Sequence, residues 1–222
     1  MNRLHSFAFN AFSEQTYLLD HGNGEATVFD PGMSTALERE EFEGICGKLG
    51  VVVVQCLLTH AHLDHVMGAN WIKQRYGCGP RLHPTDEQTW EQAPLSAKLY
   101  GISLDTLPDR GEDLGKHGSG IACGNMELEI RCAPGHSIGH VVFVCHSLKF
   151  VVGGDVLFSG SIGRTDLPGG DPDVLAKSIE EQLYSLSDDY TIHPGHGGST
   201  TIGKERSSNP FVNGLGTGML QR

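Results

Sequence analysis

Three histidines and one aspartate lie within six residues of each other in the segment His60–His65, which reads HAHLDH. Imidazole nitrogens and carboxylate oxygens bind Zn, Fe and Mn ions, and the segment holds no cysteine for a thiolate zinc site of the structural kind. In extended backbone, residues 60, 62 and 64 point to one side, and a sharp turn can bring residue 65 round. The segment therefore predicts four ligands that converge without a helix: His60, His62, Asp64 and His65.

Three more candidate ligands occur where later predicted strands end. They are His136 in a Pro-Gly-His turn, Asp155 in a Gly-Gly-Asp turn and His196 in a Pro-Gly-His-Gly turn. Glycine beside each donor lets the backbone turn tightly and permits an ion or a substrate to approach. Seven nitrogen and oxygen ligands are too many for one tetrahedral ion, but they fit two adjacent ions that share one carboxylate. The residues therefore predict a binuclear site, in which the ions also offset repulsion between Asp64 and Asp155.

The composition limits the class of protein. A chain of 222 residues favours a single domain spanning residues 1–222. With 27 acidic and 16 basic residues the net charge is -11, which disfavours nucleic acid and anionic lipid as partners. No apolar stretch approaches the ~20 residues of a membrane span, and the first residues lack the pattern of a secretory signal. The 6 cysteines form no C-x-x-C pair, so we expect reduced thiols and a cytoplasmic location.

Short strands alternate with helices along the chain, which predicts an α/β layered domain. Residues 51–58 are apolar on both alternating faces, as expected of a strand covered on both sides. Residues 94–120 are rich in Gly, Pro and Asp and are predicted to be surface loop with one or two strands. Strands are predicted at 16–19 and 26–29 (a hairpin), 51–58, 81–83, 126–132, 141–145, 150–152 and 190–192, and helices at 34–49 with Ser34 as N-cap, 69–76, 85–92 and 171–186.

On these motifs, the sequence resembles the metallo-β-lactamase-fold hydrolases over nearly its whole length. It carries an H-x-H-x-D-H run, a later Pro-Gly-His, a Gly-Asp after a strand and a Pro-Gly-His-Gly. The segment SIGRTDLPGGD at 161–171 and the Asn-Pro-Phe at 209–211 are similar to small, single-domain glyoxalase II-like (hydroxyacylglutathione hydrolase-like) members. The resemblance implies a four-layer αββα sandwich with two metal ions at one edge. It assigns the ligands as follows: His60, His62 and His136 to the first ion, Asp64, His65 and His196 to the second, and Asp155 as the bridge.

The resemblance and the ligand set together predict a metal-dependent hydrolase of thioesters such as S-2-hydroxyacylglutathione. Water that bridges two divalent ions loses its proton near neutral pH, and the hydroxide can attack a thioester carbonyl. Asp64 is the candidate catalytic residue that orients this nucleophile and accepts its proton. A thiolate leaves without a proton donor, which favours thioesters over amides. The expected cofactors are two divalent ions, zinc first with iron or manganese as alternatives, and the expected partner is a small-molecule thioester.

Two other functions are compatible with the motifs. The resemblance extends to persulfide dioxygenases, which use one iron held by two histidines and one aspartate, and His60, His136 and Asp155 could form that triad. The second of these functions is a non-catalytic scaffold stabilised by metal, although His and carboxylate ligands on Gly-rich loops suit a structural role poorly. Only a short Gly-rich segment follows His196. We therefore expect no C-terminal helical domain of the kind that helps full-length glyoxalase II to hold glutathione. The identity of the thiol half of the substrate is open for this reason.

Overall fold

The computed structural model describes residues 3–221 of the chain. Tertiary contacts divide it into two units. The first unit runs to Leu114 and includes Ala122–Met126, and the second comprises Gly115–Ile121 and the chain from Glu127 onward. No helix between residues 3 and 221 is long and apolar enough to cross a membrane.

The sheet of the first unit brings the ends of two distant strands to one edge. Its strands, in spatial order, are β1 (Leu4–Phe9), β2 (Glu14–Asp20), β3 (Glu25–Phe29), β4 (Val52–Leu57) and β5 (Pro80–Arg81). β1, β2 and β3 pair antiparallel, which confirms the predicted hairpin of β2 and β3, whereas β3, β4 and β5 pair parallel. Because β3 and β4 run in the same direction, the residues that follow them emerge side by side. Asp30 N–H, directly after β3, donates to the carbonyl of Leu57 at 3.0 Å.

The helices of the first unit differ from the prediction at two ends. The first helix begins after Thr35 and not after Ser34, because the Thr35 hydroxyl and the Glu38 carboxylate accept each other's backbone N–H groups in a capping box. The helix at Glu87–Tyr100 continues through Pro94, so the prediction of a loop from residue 94 onward is wrong up to Tyr100. The buried Trp90 and Ala97 anchor this helix. The helical elements are α1 (Ala36–Leu49), α2 (Leu63–Val66), α3 (Ala69–Tyr76), a 3-10 turn (Pro84–Asp86) and α4 (Glu87–Tyr100).

β4 is covered on one face along its first half, and not on both faces as predicted. Val53 is 1% exposed, whereas Val52 is 57% and Val54 is 44% exposed. Val53 packs in a core with Phe42 of α1 and Ile72 of α3, so these two helices lie on that face. The run of valines therefore reflects β propensity as much as burial.

The six-stranded sheet, most of whose residues belong to the second unit, also gathers strand ends at one edge. Its strands, in spatial order, are β13 (Thr200–Thr201), β12 (Thr191–Pro194), β9 (Phe150–Gly154), β8 (Val141–Cys145), β7 (Met126–Cys132) and β6 (Gly120–Cys123), and a separate hairpin is formed by β10 (Leu157–Phe158) and β11 (Ser161–Ile162). β9 pairs parallel with β12 and antiparallel with β8, which is antiparallel to β7. β7, β9 and β12 therefore run in the same direction and end at the same edge.

The helix predicted after Asp171 is confirmed as α5 (Pro172–Ser178), which continues as a π-helical turn (Ile179–Leu183). The Asp171 carboxylate caps the first turn by accepting backbone N–H groups. Leu175 and the π-helical turn pack into the core of this unit. After β13, which the sequence did not predict, the chain forms α6 (Ile202–Ser208).

The one-sided burial of β4 predicts unequal effects for neighbouring valines. We expect Val53→Ala to lower the free energy of unfolding by about 1.5–3 kcal/mol, because it removes buried methyl groups and leaves a cavity. Val54→Ala, its control on the exposed face, should change it by less than ~0.5 kcal/mol. Urea denaturation of the two variants measures the difference, and equal losses would contradict the assigned faces.

The capping box at α1 predicts a pH dependence of stability. Partial burial alone would raise the pKa of Glu38, but hydrogen bonds from Thr35, Asn10 and Ser34 lower it below its ordinary value. A lowered pKa stabilises the fold above the unfolded pKa of about 4.3, and this contribution is lost as the pH falls through the folded pKa. Glu38→Gln should therefore destabilise the protein at about pH 7 and much less below about pH 4.

Urea titrations across this pH range measure that difference between wild type and Glu38→Gln. The exposed Glu40 of the same helix provides the control variant, Glu40→Gln, which should show no such trend. A gap between wild type and Glu38→Gln that stays constant with pH would contradict the assignment.

Candidate metal centre

The segment after β4 brings the four predicted ligands of the first unit into one cluster. The ring centroid of His60 lies 4.7 Å from that of His62 and 4.2 Å from that of His65. Asp64 Oδ2 lies 3.8 Å from His65 Nε2. The His60 and His65 side chains are fully buried, whereas that of Asp64 is 16% exposed. The cluster thus offers imidazole and carboxylate ligands of different exposure.

A helical turn, and not the predicted extended backbone, produces this convergence. His62 is extended, with φ -62 and ψ 151, and it precedes α2, which carries Asp64 and His65. An extended chain would separate His60 from His65 by about 16 Å, so the turn is what returns His65 to His60. The prediction of convergence without a helix is therefore wrong, because a four-residue helix is too short to show a periodic pattern.

Asp30, which was not predicted to be a site residue, supports this cluster through hydrogen bonds. Its Oδ1 accepts the Thr59 N–H at 2.7 Å, and its Oδ2 accepts the Thr59 hydroxyl at 2.7 Å. Oδ2 also lies 3.1 Å from His65 Nδ1. Asp30 has φ +45, a conformation that costs a non-glycine residue on the order of 1–3 kcal/mol and that recurs at functional sites. The Asp-Pro-Gly sequence after β3 is the signal that could have identified it.

The hydrogen bonds to Asp30 determine which imidazole nitrogen of each ring can bind a metal. His65 Nδ1 donates to the Asp30 carboxylate, so its lone pair lies at Nε2. The Thr59 hydroxyl donates to Asp30 and so accepts from His60 Nδ1 at 3.0 Å, which also leaves the His60 lone pair at Nε2. Neutral imidazoles held in this way at Nδ1 are the form that binds divalent metals through Nε2. The donor set therefore fits the metal that the motif predicts.

Asp30 could itself be taken for a ligand. One donor atom from each of Asp30, His60 and His65 lies within 4.8 Å of the others. An ion at that point would displace the three hydrogen bonds that the Asp30 carboxylate accepts. We therefore assign Asp30 a supporting role, in which it orients the imidazoles and binds no metal.

Two further buried carboxyl groups lie against the same segment, and neither carries a local sequence signal. Asp86 accepts the Ala61 N–H at 2.7 Å, which fixes the backbone between His60 and His62. Glu14 Oε1 lies 3.8 Å from His65 Nδ1. Burial raises the pKa of the Glu14 carboxyl well above its ordinary value.

The three predicted ligands of the second unit meet around Asp155. The Nε2 atoms of His136 and His196 each lie 3.5 Å from Asp155 Oδ2. His136 follows β7, Asp155 follows β9 and His196 follows β12, so the common edge of these strands explains the meeting. His136 and Asp155 are 2% and 8% exposed, and the His196 side chain is 29% exposed. One carboxylate oxygen between two imidazole nitrogens suits a carboxylate shared by two ions.

Buried contacts also orient this second cluster. His136 Nδ1 donates to the carbonyl of Arg164 at 2.7 Å, so its lone pair lies at Nε2 on the Asp155 side. The Asp155 N–H donates to His140 Nε2 at 3.1 Å, which makes His140 a support for Asp155. A Cβ at Gly163 would lie 1.9 Å from the Asp155 carbonyl, so only glycine lets the following loop pass this closely.

The remaining polar residues near these motifs have structural contacts. The Arg164 side chain pairs with Asp166 at 2.7 Å, and this hydrogen bond lowers the pKa of Asp166 to about 2. His193 Nδ1 lies 2.9 Å from the Ser199 hydroxyl. His83 and His117 accept backbone N–H groups.

Known proteins are similar to this chain in sequence and in fold. A sequence model described as the Metallo-beta-lactamase superfamily matches residues 10–196. The hydroxyacylglutathione hydrolase GloC of Haemophilus influenzae is 38% identical over 206 residues, which cover 91% of this chain and 94% of that protein. The crystal structure of BLEG-1 B3 metallo-beta-lactamase has a TM-score of 0.85 and 31% identity, covering 94% of this chain and 99% of that one. That of TTHA1623 in a di-iron-bound form has a TM-score of 0.84 and 35% identity, covering 94% and 100%.

These similarities confirm the predicted α/β sandwich of the metallo-β-lactamase type and the predicted resemblance to hydroxyacylglutathione hydrolase-like proteins. They agree with the His and Asp clusters, since the superfamily binds metal ions. The chain belongs to the metallo-β-lactamase superfamily of metal-dependent hydrolases.

Proposed function

We propose that this protein is a thioester hydrolase that uses two divalent metal ions, zinc first. The observation that carries the proposal is Asp155, whose Oδ2 lies 3.5 Å from the Nε2 atoms of two histidines. A carboxylate placed in this way can bind one ion with each imidazole. The proposed ligands are His60, His62 and His136 for the first ion, Asp64, His65 and His196 for the second, and Asp155 for both.

The chain's own residues divide the work of the reaction. When bound, the two ions lower the pKa of water and polarise the thioester carbonyl. Asp64 is the carboxylate of the first cluster that reaches solvent, so it can orient the attacking water and accept its proton. His60 and His65 hold their Nδ1 protons in hydrogen bonds to Thr59 and Asp30. These two imidazoles therefore act as ligands and not as general bases.

The substrate class rests on the leaving group and on the relatives. A thiolate departs without protonation, whereas an amine needs a proton donor. The relative GloC is named a hydroxyacylglutathione hydrolase, which supports a thioester with a 2-hydroxyacyl group. BLEG-1 is named a B3 metallo-beta-lactamase, so β-lactams are the competing substrate class. A substrate panel must contain both.

Metal removal tests the cofactor. We expect a chelator to abolish thioester hydrolysis, added zinc to restore it, and elemental analysis to find two ions per chain, because the seven ligands exceed the needs of one ion. The protein should take up no oxygen with a persulfide and should cleave a β-lactam much more slowly than a thioester. One iron per chain with oxygen uptake would instead identify a dioxygenase, and a metal-loaded protein that leaves the whole panel intact would identify a scaffold.

Substitution of the two site aspartates tests their separate roles. Asp155→Ala should lower metal content and activity together, because a shared carboxylate is lost. Asp64→Ala removes the proposed base and also one ligand of the second ion, so it should lower kcat by ~10²–10⁴-fold and weaken the second ion while leaving the first ion bound. Asp189→Ala, at an exposed residue paired with Lys149, is the matched control and should keep both metal and activity. Full activity in either site variant, measured with a thioester substrate, would disprove the assigned role.

A further inference from the structure

Glu14 is buried at the first position of β2, where its carboxyl group faces a proposed ligand. Its side chain is 0% exposed, and its Oε1 lies 3.8 Å from His65 Nδ1. Within residues 3–221, Oε1 accepts no hydrogen bond. Asp30 lies closer to the same nitrogen, at 3.1 Å, and takes its single proton. A buried carboxyl group destabilises the fold unless a polar contact compensates for its lost hydration. His65 does not provide that contact for Glu14, because its Nδ1 proton is taken by Asp30.

The second oxygen of Glu14 shows what that contact is. Oε2 lies 2.9 Å from the Thr16 hydroxyl. The same hydroxyl lies 2.8 Å from the carbonyl of Asp30 and accepts the Gly32 N–H at 2.9 Å. Thr16 thus binds both ends of the turn from Asp30 to Gly32, and Glu14 holds Thr16 in place.

The turn also lies directly against the Glu14 carboxyl group. A Cβ at Gly32 would lie 1.9 Å from Glu14 Oε2 and 2.9 Å from the carbonyl of Asp64. The Asn10 amide donates to the carbonyls of Gly32 and Asp64, at 2.9 and 3.0 Å. Glu14 therefore contacts the turn that holds Asp30 in its left-handed conformation, and this turn is linked to the ligand helix α2.

We propose that Glu14 is a positioning residue for the metal ligand His65. Through Thr16 and Gly32 it holds the strained Asp30 turn, and the Asp30 carboxylate then orients the His65 imidazole. Glu14 is not a ligand itself, because it lies on the Nδ1 side of the ring, whereas the metal-binding lone pair is at Nε2. The inference rests on the proposed function for the role of His65 as a ligand, but the contacts that carry it do not depend on the substrate.

The test compares Glu14→Ala, Glu14→Gln and Thr16→Val with the wild type. Thr16→Val removes the connecting hydroxyl while keeping the side-chain shape, so it tests the same link if Glu14→Ala does not fold. The matched control is Glu205→Gln, because Glu205 is also a buried carboxyl group, 1% exposed, and accepts hydrogen bonds from Thr200 and Asn209 in the second unit. The readouts are the His65 Nδ1–H and imidazole nitrogen NMR resonances of the full chain and its zinc affinity by chelator competition.

We expect Glu14→Ala and Thr16→Val to displace the His65 Nδ1–H resonance or lose it to exchange, and to weaken one of two zinc ions about tenfold or more. Glu14→Gln retains an oxygen for Thr16 and should restore the resonance and bring zinc affinity to within about threefold of wild type. Glu205→Gln should lower the melting temperature without moving either readout.

An unchanged His65 resonance in Glu14→Ala and Thr16→Val would overturn the proposal, as would effects on both readouts that Glu205→Gln reproduces. The NMR readout needs neither substrate nor a second ion. A wild type that cleaves no thioester while the His65 resonance responds as expected would therefore remove the proposed function and leave the role of Glu14 intact.

Discussion

The buried Asp30 carboxylate is the group on which the first ligand cluster depends. It accepts hydrogen bonds from the backbone and hydroxyl of Thr59 and from His65 Nδ1, and so connects the end of β3 to the segment after β4. A buried carboxylate is tolerated only when such donors compensate for its lost hydration. The left-handed backbone of Asp30 adds strain that these bonds must offset. The hydrogen bonds that orient His60 and His65 for the proposed metal depend on this one group.

Parallel strands explain how residues of the proposed site that are distant in sequence can meet. In the first unit the ends of β3 and β4 adjoin, and in the second unit β7, β9 and β12 end at one edge. Each sheet is a rigid support, and the functional side chains lie on the short loops that follow its strands. Glycine at positions such as Gly163 lets these loops pass close to the ligands they support.

Burial separates the chemical roles within the proposed centre. His60 and His65 are enclosed, and hydrogen bonds hold their Nδ1 atoms, so they are suited to bind metal and not to exchange protons. Asp64 is partly exposed and is suited to handle the proton of an attacking water. Asp155, between His136 and His196, is suited to join two ions. As proposed, two divalent ions would also compensate the negative charges of Asp64 and Asp155.

Local patterns of adjacent residues were enough to predict the candidate ligand types, the turns that carry them, the main strands and the family. The folded chain was needed to show that a helical turn returns His65 to His60, that Val54 faces outward and that the fourth helix passes through Pro94. The fold also places Asp30 and Glu14 against the cluster of proposed ligands. Thr59 and His65, which contact Asp30, and Gly32, which contacts Glu14, lie far away along the chain. No local periodicity or spacing indicates which buried groups the folding of distant strands will bring into contact.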